Sequence, residues 1–358
     1  MILDEIRIHD VRNISEAKLE FGKHLNILFG ENGSGKSSVL ESIYLLSSGK
    51  SFRSTQITKI IQENKKKLTL FGKISGSGTS TTLGLEKSRS GHIIHINSEK
   101  INRISELAKC LPVLVVTQDS HKLLEAGPQW RRQFVDWGLF HVKHEFHAIW
   151  GNYRKLLKNR NLALSQQASI AEIDAWNEGL ASYGETYSEL RTEYIKSLSP
   201  YFENFATELL GKGDYELQYK RGWSLDISLL SCLQNNYERD RFSGRTEFGP
   251  HRADFILLVD QRDAKDHVSR GQQKLLVYAL NLAQIAYIKQ LSEKETLLLL
   301  DDLGSELDLE HSEKLLSLIS SHFSQVCITT ANIESLPLGK FKNIKMFHVK
   351  HGTIESVS

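Results

Sequence analysis

Alternating apolar and polar residues in the first third of the chain predict a series of short β-strands. Ile2–Ile8 and Ala17–Phe21 follow the two-residue period of half-buried strands. His24–Phe29 is a short apolar run typical of a buried central strand, and helically spaced apolar residues follow over Ser37–Leu46. Further strands are predicted at Leu68–Ile74, Thr81–Leu85, His92–Ile96 and Leu111–Val116.

The middle third has the apolar spacing of long helices. Large residues recur there at alternating steps of three and four, as in the seam of a coiled coil: Ile173, Trp176, Leu180, Tyr183, Tyr187, Leu190 and Tyr194. A looser form of this spacing runs from Phe134 to Leu164, so we expect two long helices packed antiparallel. We interpret the aromatic residues of the seam as packing residues rather than as a ligand site.

The last third returns to alternating strands and helices. Strands are predicted at Phe255–Val259, Thr296–Leu300, Val326–Thr330 and Ile344–Val349, with helices at Gln272–Lys289 and Glu310–Ser320. The order of α/β, helical and α/β segments predicts an α/β fold. In it, one discontinuous domain of residues 1–120 and 246–358 is interrupted by a mostly helical insertion at 121–245.

Composition narrows the class of protein without identifying it. The 358 residues are 40% hydrophobic and 25% charged, which is typical of a globular chain and excludes a disordered or collagen-like one. No apolar run approaches the roughly 20 residues of a membrane span, and the acidic residues of MILDEIRIHD disfavour a signal peptide. The cysteines Cys110, Cys232 and Cys327 form no CxxC pair, so we expect a reducing, cytoplasmic compartment.

The charge balance is nearly neutral. There are 45 Lys and Arg residues against 43 Asp and Glu residues, a formal net charge of +2. Nucleic-acid binding therefore cannot be argued from the whole molecule and would need a local basic patch. The 14 histidines show no HExxH motif or paired metal-ligand spacing, so we expect no catalytic metal held by protein ligands alone.

The strongest motif is a glycine-rich loop that matches GxxxxGK[ST]. It lies between a predicted buried strand and a predicted helix, the context that a phosphate-binding loop requires. Its glycines allow backbone N–H groups to surround phosphate oxygens, and the following helix adds its positive N-terminal dipole. Lys36 is expected to reach the β- and γ-phosphates of ATP and Ser37 to ligate Mg²⁺. The phosphate loop comprises Gly30, Glu31, Asn32, Gly33, Ser34, Gly35, Lys36 and Ser37.

Two further motifs fit the same chemistry. The apolar run Leu297–Leu300 ends in Asp301 and Asp302, which places carboxylates at the carboxyl end of a strand. Asp301 suits the metal shell, and Asp302 suits the general base that polarises the attacking water. The sequence Ser269-Arg270-Gly271-Gln272 opens the predicted helix that comes before this strand. It is either a second anion site, used between two chains facing head to tail, or a plain helix N-cap.

These motifs together resemble the heads of ABC-type ATPases of the SMC group. Over the whole chain the sequence is most similar to the RecF family of bacterial recombinational-repair ATPases. The stretches that carry the resemblance are GENGSGKSSVLESIYLLSSGKSFR, GPQWRRQFVDWGLFHV, FGPHRAD, SRGQQKLL and DDLGSELD. The resemblance implies a P-loop ABC-type ATPase head with a mixed sheet, interrupted by a helical arm.

The resemblance also implies a function. A homodimer is expected to form on ATP binding, with the signature residues Ser269, Arg270, Gly271 and Gln272 meeting the γ-phosphate of the other subunit. Ser305 and Asp308 would lie at the dimer interface. The family binds single-stranded, gapped or junction DNA and supports recombinase loading, replication, repair and the SOS response, with RecO- and RecR-like proteins and a recombinase as expected partners.

The sequence departs from most ABC-type heads at two positions. Asp302 stands where a glutamate is usual, and because its side chain is shorter by one methylene group, we expect slow, DNA-stimulated hydrolysis. The usual switch histidine is missing, which leaves Thr330 and Asn332 as candidate γ-phosphate sensors. Gln118 follows the strand at Leu111–Val116, where a Q-loop glutamine would lie.

Some alternatives stay open at this point. An ATP-gated DNA scaffold with negligible hydrolysis and a transporter-type nucleotide-binding subunit would share the same ATP chemistry. Lys65–Lys67 is interpreted as a solvated turn. Arg131 and Arg132, like His251 and Arg252, either contact DNA phosphates or brace acidic residues where the two lobes meet.

Overall fold

The computed structural model describes residues 2–76, 78–292, 294–303, 307–339, 341 and 343–357. The chain divides into two compact units, Met1–Ser120 with Glu293–Ser358, and His121–Ser292. The first unit is therefore discontinuous in sequence, and the second is inserted into it. Among the described residues, no helix has both the length and the apolar character needed to cross a membrane.

The described strands and helices have the following bounds. In chain order the strands are β1 (Ile2–Val11), β2 (Ile14–Glu20), β3 (Leu25–Phe29), β4 (Lys67–Gly76), β5 (Thr79–Ser88), β6 (Gly91–Ile96), β7 (Glu99–Ile101), β8 (Val113–Val116), β9 (Tyr215–Lys220), β10 (Asp254–Val259), β11 (Arg262–Asp263), β12 (Leu297–Leu300), β13 (Val326–Thr330), β14 (Ile344–Lys350) and β15 (Thr353–Val357). The α-helices are α1 (Lys36–Ser48), α2 (Ser105–Cys110), α3 (Lys122–Glu125), α4 (Pro128–Val142), α5 (Phe146–Ser165), α6 (Ile170–Leu210), α7 (Leu229–Asn235), α8 (Tyr237–Ser243), α9 (Ala264–His267), α10 (Arg270–Ser292) and α11 (Leu309–His322).

The first unit contains two six-stranded sheets around helix α1. One is antiparallel, in the order β2-β1-β4-β5-β6-β7, and its alternating residues fill the core from one face only. The other has the order β15-β14-β3-β13-β12-β8, and all of its strands except β15 run parallel. Val39, Leu40 and Ile43 of α1 are fully buried in the core of this unit.

The parallel strands bring several sequence motifs to one edge of the sheet. β3 pairs with β13, β13 with β12, and β12 with β8, so four chain segments end side by side. The phosphate loop follows β3, the aspartates follow β12, and Gln118 follows β8 closely. The carboxyl edge of an open parallel sheet is where ligands usually bind.

The second unit is built on the 41-residue helix α6. Helices α5 and α10 pack along it, and β9, β10 and β11 form a small antiparallel sheet beside it. Of the predicted seam, Ile173, Leu180, Tyr187, Leu190 and Tyr194 are buried, which supports their interpretation as packing residues, whereas Trp176 is partly exposed and Tyr183 is exposed. The second predicted helix, Phe134–Leu164, is interrupted after Val142 and continues as α5 from Phe146.

The division into units differs from the predicted one at its second boundary. The inserted unit extends to Ser292 rather than to residue 245, so it includes β10 and α10. The boundary moves because β10 pairs with β9 of the inserted unit. Their antiparallel pairing runs from Asp254 opposite Lys220 to Val259 opposite Tyr215, and α10 packs on α6. The sequence Ser269-Arg270-Gly271-Gln272 consequently belongs to the inserted unit and not to the discontinuous one.

Candidate functional site

The phosphate loop owes its shape to its glycines. Gly30, Gly33 and Gly35 all have positive φ, at 148°, 79° and 120°. A Cβ on Gly30 would lie 2.2 Å from the carbonyl oxygen of Val349 in β14, so no other residue fits there without displacing a core strand. The loop is therefore closed against the sheet at its first residue, and α1 begins at Lys36 directly after it.

Lys36 lies buried under this loop. Its Nζ donates hydrogen bonds to the carbonyl oxygens of Gly30, at 2.7 Å, and Glu31, at 2.8 Å. Burial lowers the pKa of Lys36, while the nearby carboxylates of Asp302 and Asp301 act in the opposite direction. The ammonium group is thus held between the loop and the two aspartates predicted from sequence.

Ser37 and Asp301 are in direct contact. The Ser37 hydroxyl donates to Oδ1 of Asp301 at 2.8 Å, although the two residues are 264 positions apart. The Asp301 backbone N–H donates to the carbonyl of Val116 in β8 at 2.9 Å, which fixes the residue at the strand end. A hydroxyl beside a carboxylate is an oxygen donor set of the kind that Mg²⁺ prefers.

Thr329 joins the two aspartates, a role that its sequence pattern did not indicate. Its hydroxyl donates to Oδ1 of Asp301 at 2.7 Å and accepts the backbone N–H of Asp302 at 2.8 Å. The residue is fully buried at the end of β13. A polar residue in an otherwise apolar strand could have pointed to Thr329. The neighbouring Thr330 has the same property, so the sequence does not distinguish the two.

Asp302 and Gln118 are in direct contact. The side-chain amide of Gln118 donates to Oδ2 of Asp302 at 2.9 Å. Asp302 has a left-handed backbone with φ of 62°, which is uncommon for a residue other than glycine and is typical of strained functional positions. The carboxylate that was assigned to water activation is therefore positioned by a glutamine from a separate strand end.

Thr330 and Asn332 form a local turn. The Thr330 hydroxyl donates to the carbonyl of Asn332 at 2.8 Å, and the Asn332 side chain accepts the N–H of Glu334 at 3.0 Å. Both of these side-chain hydrogen bonds stay within the segment that follows β13. Gln118, by contrast, is the candidate sensor whose side chain is bonded directly to an aspartate of the site.

An open cleft in the first unit collects these residues. It is lined by groups from the phosphate loop, the ends of β8, β12 and β13, and the segments near residues 12, 52 and 62. Among the lining residues are Lys36, Ser37, Gln118, Asp301, Asp302 and Thr329. The glycine cradle, the buried cation and the oxygen donor pair fit a nucleoside triphosphate with Mg²⁺.

A buried acid-base cluster beside the cleft was not predicted. Glu41 of α1 is fully buried, and Arg12 donates to both of its carboxylate oxygens at 2.8 Å. The Ser51 hydroxyl also donates to Glu41, and Arg53 lies 3.8 Å from it. Glu41 lies beside the buried residues Leu40 and Ile43 and is the only acidic residue of α1, which was the signal available in the sequence.

The signature residues of the second unit form a capping box. The Ser269 backbone N–H donates to Oε1 of Gln272 at 2.9 Å, and the Gln272 N–H donates to the Ser269 hydroxyl at 3.3 Å. This is the helix-cap alternative raised from the sequence. Arg270 and Gly271 follow in the first turn of α10 and are exposed.

Of the two predicted interface residues, only one is described. Asp308 caps α11, accepting the N–H of His311 at 2.9 Å and pairing with the ring of His311 at 2.8 Å, and these bonds lower its pKa. Ser305 lies outside the described residues.

The arginine and histidine motifs of the second unit make structural contacts. Arg131 forms a bidentate pair with Asp254, with N–O distances of 2.6 and 3.0 Å, and Arg132 donates to the carbonyl of Ala253 at 2.8 Å. His251 is bonded to the Tyr153 hydroxyl at 2.7 Å, and Arg252 pairs with Glu247 at 3.0 Å. Arg131 and Arg252 therefore pair with acidic residues, but these pairs lie within one unit and not where the two lobes meet. Lys65 and Lys67 are half-exposed and pair with Asp10 and Glu86, as solvated side chains do, but Lys67 is already the first residue of β4 and not part of a turn.

Comparisons with known proteins show the family of the chain. Residues 2–355 match the model of the family described as RecF/RecN/SMC N terminal domain. The chain is 40% identical to the DNA replication and repair protein RecF of Shewanella loihica over 358 residues and 41% identical to that of Shewanella halifaxensis over 359 residues. These matches cover 99% of this chain and 99% and 98% of the relatives.

Solved structures show the same fold. The structure of the recombination mediator protein RecF-ATP in the RecFOR pathway has a TM-score of 0.89 at 24% identity and covers all of this chain and 98% of that one. An SMC head bound to the C-winged helix domain of ScpA has a TM-score of 0.60 at 15% identity and covers 100% of this chain and 97% of that one. These likenesses confirm the predicted ABC-type head fold.

Proposed function

The chain belongs to the RecF family within the RecF/RecN/SMC N-terminal domain proteins, and from this premise we propose that it is a DNA replication and repair protein whose dimerisation is switched by ATP. The observation that carries the proposal is the 2.8 Å contact between Ser37 and Asp301 inside the cleft. It joins the phosphate loop to the acidic strand end, which is the arrangement that phosphoryl-transfer sites of this class use.

The proposal assigns a separate role to the phosphate loop, to the metal-binding residues and to Asp302 with Gln118. The N–H groups of the phosphate loop and the ammonium group of Lys36 bind the β- and γ-phosphates of ATP. Ser37 and Asp301 would hold Mg²⁺, which would neutralise charge on the phosphate oxygens. Asp302 accepts a proton from the attacking water, and Gln118 keeps its carboxylate oriented through the 2.9 Å hydrogen bond.

The dimer supplies the remaining contacts. Ser269, Gly271 and Gln272 of one subunit meet the γ-phosphate held by the other subunit, with Ser305 and Asp308 at the interface. Because the nucleotide then contacts both chains only in the assembled state, ATP stabilises the dimer by mass action. The exposure of residues 269–272 at the positive N-terminal end of α10 supports this assignment.

DNA binding follows from the family rather than from net charge. The dimer binds single-stranded, gapped or junction DNA, and RecO- and RecR-like proteins and a recombinase are its expected partners. Two likenesses support this assignment: the relatives are DNA replication and repair proteins, and a structural neighbour is a recombination mediator of the RecFOR pathway.

Slow hydrolysis is expected because the Asp302 side chain is short and reaches less far than a glutamate.

A scaffold that binds ATP and DNA with negligible hydrolysis is the second candidate. The same short Asp302 side chain favours it. Phosphate release measured with and without gapped DNA separates the two candidates, because only the ATPase responds to DNA.

The test of the switch is sedimentation velocity with ATP and Mg²⁺, with ADP, and without nucleotide. Ser269→Arg should leave ATP binding intact and abolish the ATP-dependent dimer. The matched control is Ser169→Arg, because Ser169 forms the same capping box at the start of α6. Both variants lose a cap worth about 1 kcal/mol. An intact dimer of the Ser269→Arg variant, or equal loss in the control, would contradict the proposal.

A further inference from the structure

Charge is strongly segregated between two neighbouring helices of the second unit. Helix α5 contains Arg154, Lys155, Lys158 and Arg160 and no Asp or Glu over its 20 residues. Helix α6, which packs along it, contains eight acidic residues and two basic ones. Although the chain as a whole is nearly neutral, all the Asp, Glu, Lys and Arg residues of α5 are therefore basic ones.

Only three of the four cations of α5 are available to a ligand. Arg160 is fully buried, where it donates to Asp240 at 2.7 Å and Asn177 at 2.7 Å. Arg154, Lys155 and Lys158 are exposed. Within the described part of the chain, none of these three takes part in an ion pair. Acidic residues of α6 do pair where a base is in reach, since Glu193 lies 3.8 Å from Lys143.

The three exposed cations share one face of the helix with two aromatic side chains. At 3.6 residues per turn, positions 147, 150, 154, 155 and 158 fall within an arc of about 140°. The buried residues Phe146, Tyr153, Arg160 and Leu164 occupy a separate arc that faces the core. From position 147 to position 158 the basic face extends for about 16 Å.

Trp150 organises this face. The guanidinium carbon of Arg154 lies 4.8 Å from the centre of the Trp150 ring, and the ring of His147 stacks on Trp150 with centroids 6.1 Å apart and planes at 23°. A cation held against an aromatic face keeps a defined position and is more weakly hydrated than a free lysine. The long basic face thus has an arginine fixed between a stacked aromatic pair and two lysines.

We propose that the exposed face of α5, formed by His147, Trp150, Arg154, Lys155 and Lys158, binds the phosphodiester backbone of DNA. This inference rests on the proposed function and names the surface that would carry its DNA contacts. Charge complementarity selects the ligand: the face presents several cations in a row without a single acid, and a polyanion with regularly spaced charges matches it. Arg154 and the lysines contact phosphates and therefore position the DNA without reading its sequence.

The experiment compares two triple variants of the full chain. The first carries Arg154→Gln, Lys155→Gln and Lys158→Gln. The second carries Lys196→Gln, Lys212→Gln and Lys220→Gln, which removes the same charge from exposed positions of the same unit outside α5. Binding to a fluorescent duplex with a gap is measured by anisotropy over a series of salt concentrations, with ATP and Mg²⁺. Circular dichroism and ATP affinity report whether each variant is folded.

We expect only the first variant to lose affinity. The slope of log affinity against log salt should become shallower by about 2.7, because each phosphate contact on duplex DNA contributes about 0.9. Random-sequence and fixed-sequence duplexes should be affected equally. The control variant should keep the slope of the unaltered chain.

The outcomes separate this surface from the proposed function. If the unaltered chain binds DNA and the α5 variant binds with the same salt slope, the assignment of DNA binding to this face of α5 is wrong and the proposed function stands. Equal loss in both variants would show that total charge alone matters, and it would also overturn the surface. If the unaltered chain shows no DNA binding, the proposed function fails and the surface fails with it. A variant that binds DNA normally but no longer binds an acidic protein partner would assign the face to that partner instead.

Discussion

Replacing Thr329 by valine tests the part of the site that sequence reasoning missed. Valine has the same shape as threonine but can neither donate nor accept a hydrogen bond. The change removes the 2.7 Å bond to Oδ1 of Asp301 and the 2.8 Å bond from the N–H of Asp302. Asp301 then keeps Ser37 as its remaining side-chain donor, and the backbone of Asp302 loses the group that fixes its left-handed conformation.

The magnitude follows from the type of bond that is lost. A hydrogen bond to a charged group is worth about 1.5–3 kcal/mol, and a buried N–H left without a partner costs about 1–3 kcal/mol. Removing a group that orients a metal ligand typically weakens metal binding by about 10–100-fold. We therefore expect Mg²⁺-dependent ATP affinity to fall by about 10–100-fold, or about 1.4–2.8 kcal/mol.

The assay is a titration of the chain with a fluorescent ATP analogue, in excess Mg²⁺ and in EDTA. The loss should be confined to the Mg²⁺ arm, because the phosphate loop itself is unchanged. Thr330→Val is the matched control: Thr330 is also buried in β13 and also loses two hydrogen bonds, but both of them lead to Asn332. An unchanged Mg²⁺-dependent affinity of the Thr329→Val variant, or an equal loss in Thr330→Val, would refute the reasoning.

Three further predictions concern catalysis and stability. Asp302→Asn should retain ATP binding and lower phosphate release by about 100-fold or more, as loss of a general base does; an unchanged turnover rate would argue against its role. Burial lowers the pKa of His251 to about 4 from its ordinary value of 6.5. The contribution of neutral His251 to the free energy of unfolding is therefore complete above pH 6.5. It decreases by about 3 kcal/mol as the pH falls to 4, because the histidine of the unfolded chain takes up a proton at a higher pH than that of the folded chain. His251→Gln should flatten that part of a profile of urea midpoints against pH, and a profile as steep as that of the unaltered chain would contradict the assignment. Arg160→Met should lower the free energy of unfolding by about 3–5 kcal/mol, because it strands the buried carboxylate of Asp240; the exposed control Arg154→Met should stay within about 0.5 kcal/mol in the same urea titration.

The local elements were predictable where a pattern is contiguous in sequence. The phosphate loop is eight consecutive residues with glycines at fixed positions, so its backbone path follows from the motif itself. The seam of α6 repeats over several turns, and its period predicts most of the buried side, with Tyr183 as an exposed exception. Short strands such as β7, β11 and β15 were not predicted, because they consist mainly of polar residues and contain no apolar run.

Predictions failed where partners come from distant segments. Residues 255–259 have the pattern of a strand, but the pattern does not say which sheet the strand joins. Pairing of β10 with β9 decides that, and it extends the inserted unit to Ser292. In the same way, the sequence left open whether Arg131 contacts DNA phosphates or braces an acidic residue, and only folding brings it into a bidentate pair with Asp254 at 2.6 and 3.0 Å.

Thr329 shows most clearly what the sequence could not decide. β13 is buried along its whole length, so no alternation of polar and apolar residues distinguishes Thr329 from Thr330. The sequence by itself determined the phosphate loop, the acidic strand end and the family, because these depend on residue types at fixed local spacing. Only the tertiary structure decided which hydroxyl lies between Asp301 and Asp302, because the order of parallel strands in the sheet determines which side chains meet at its edge.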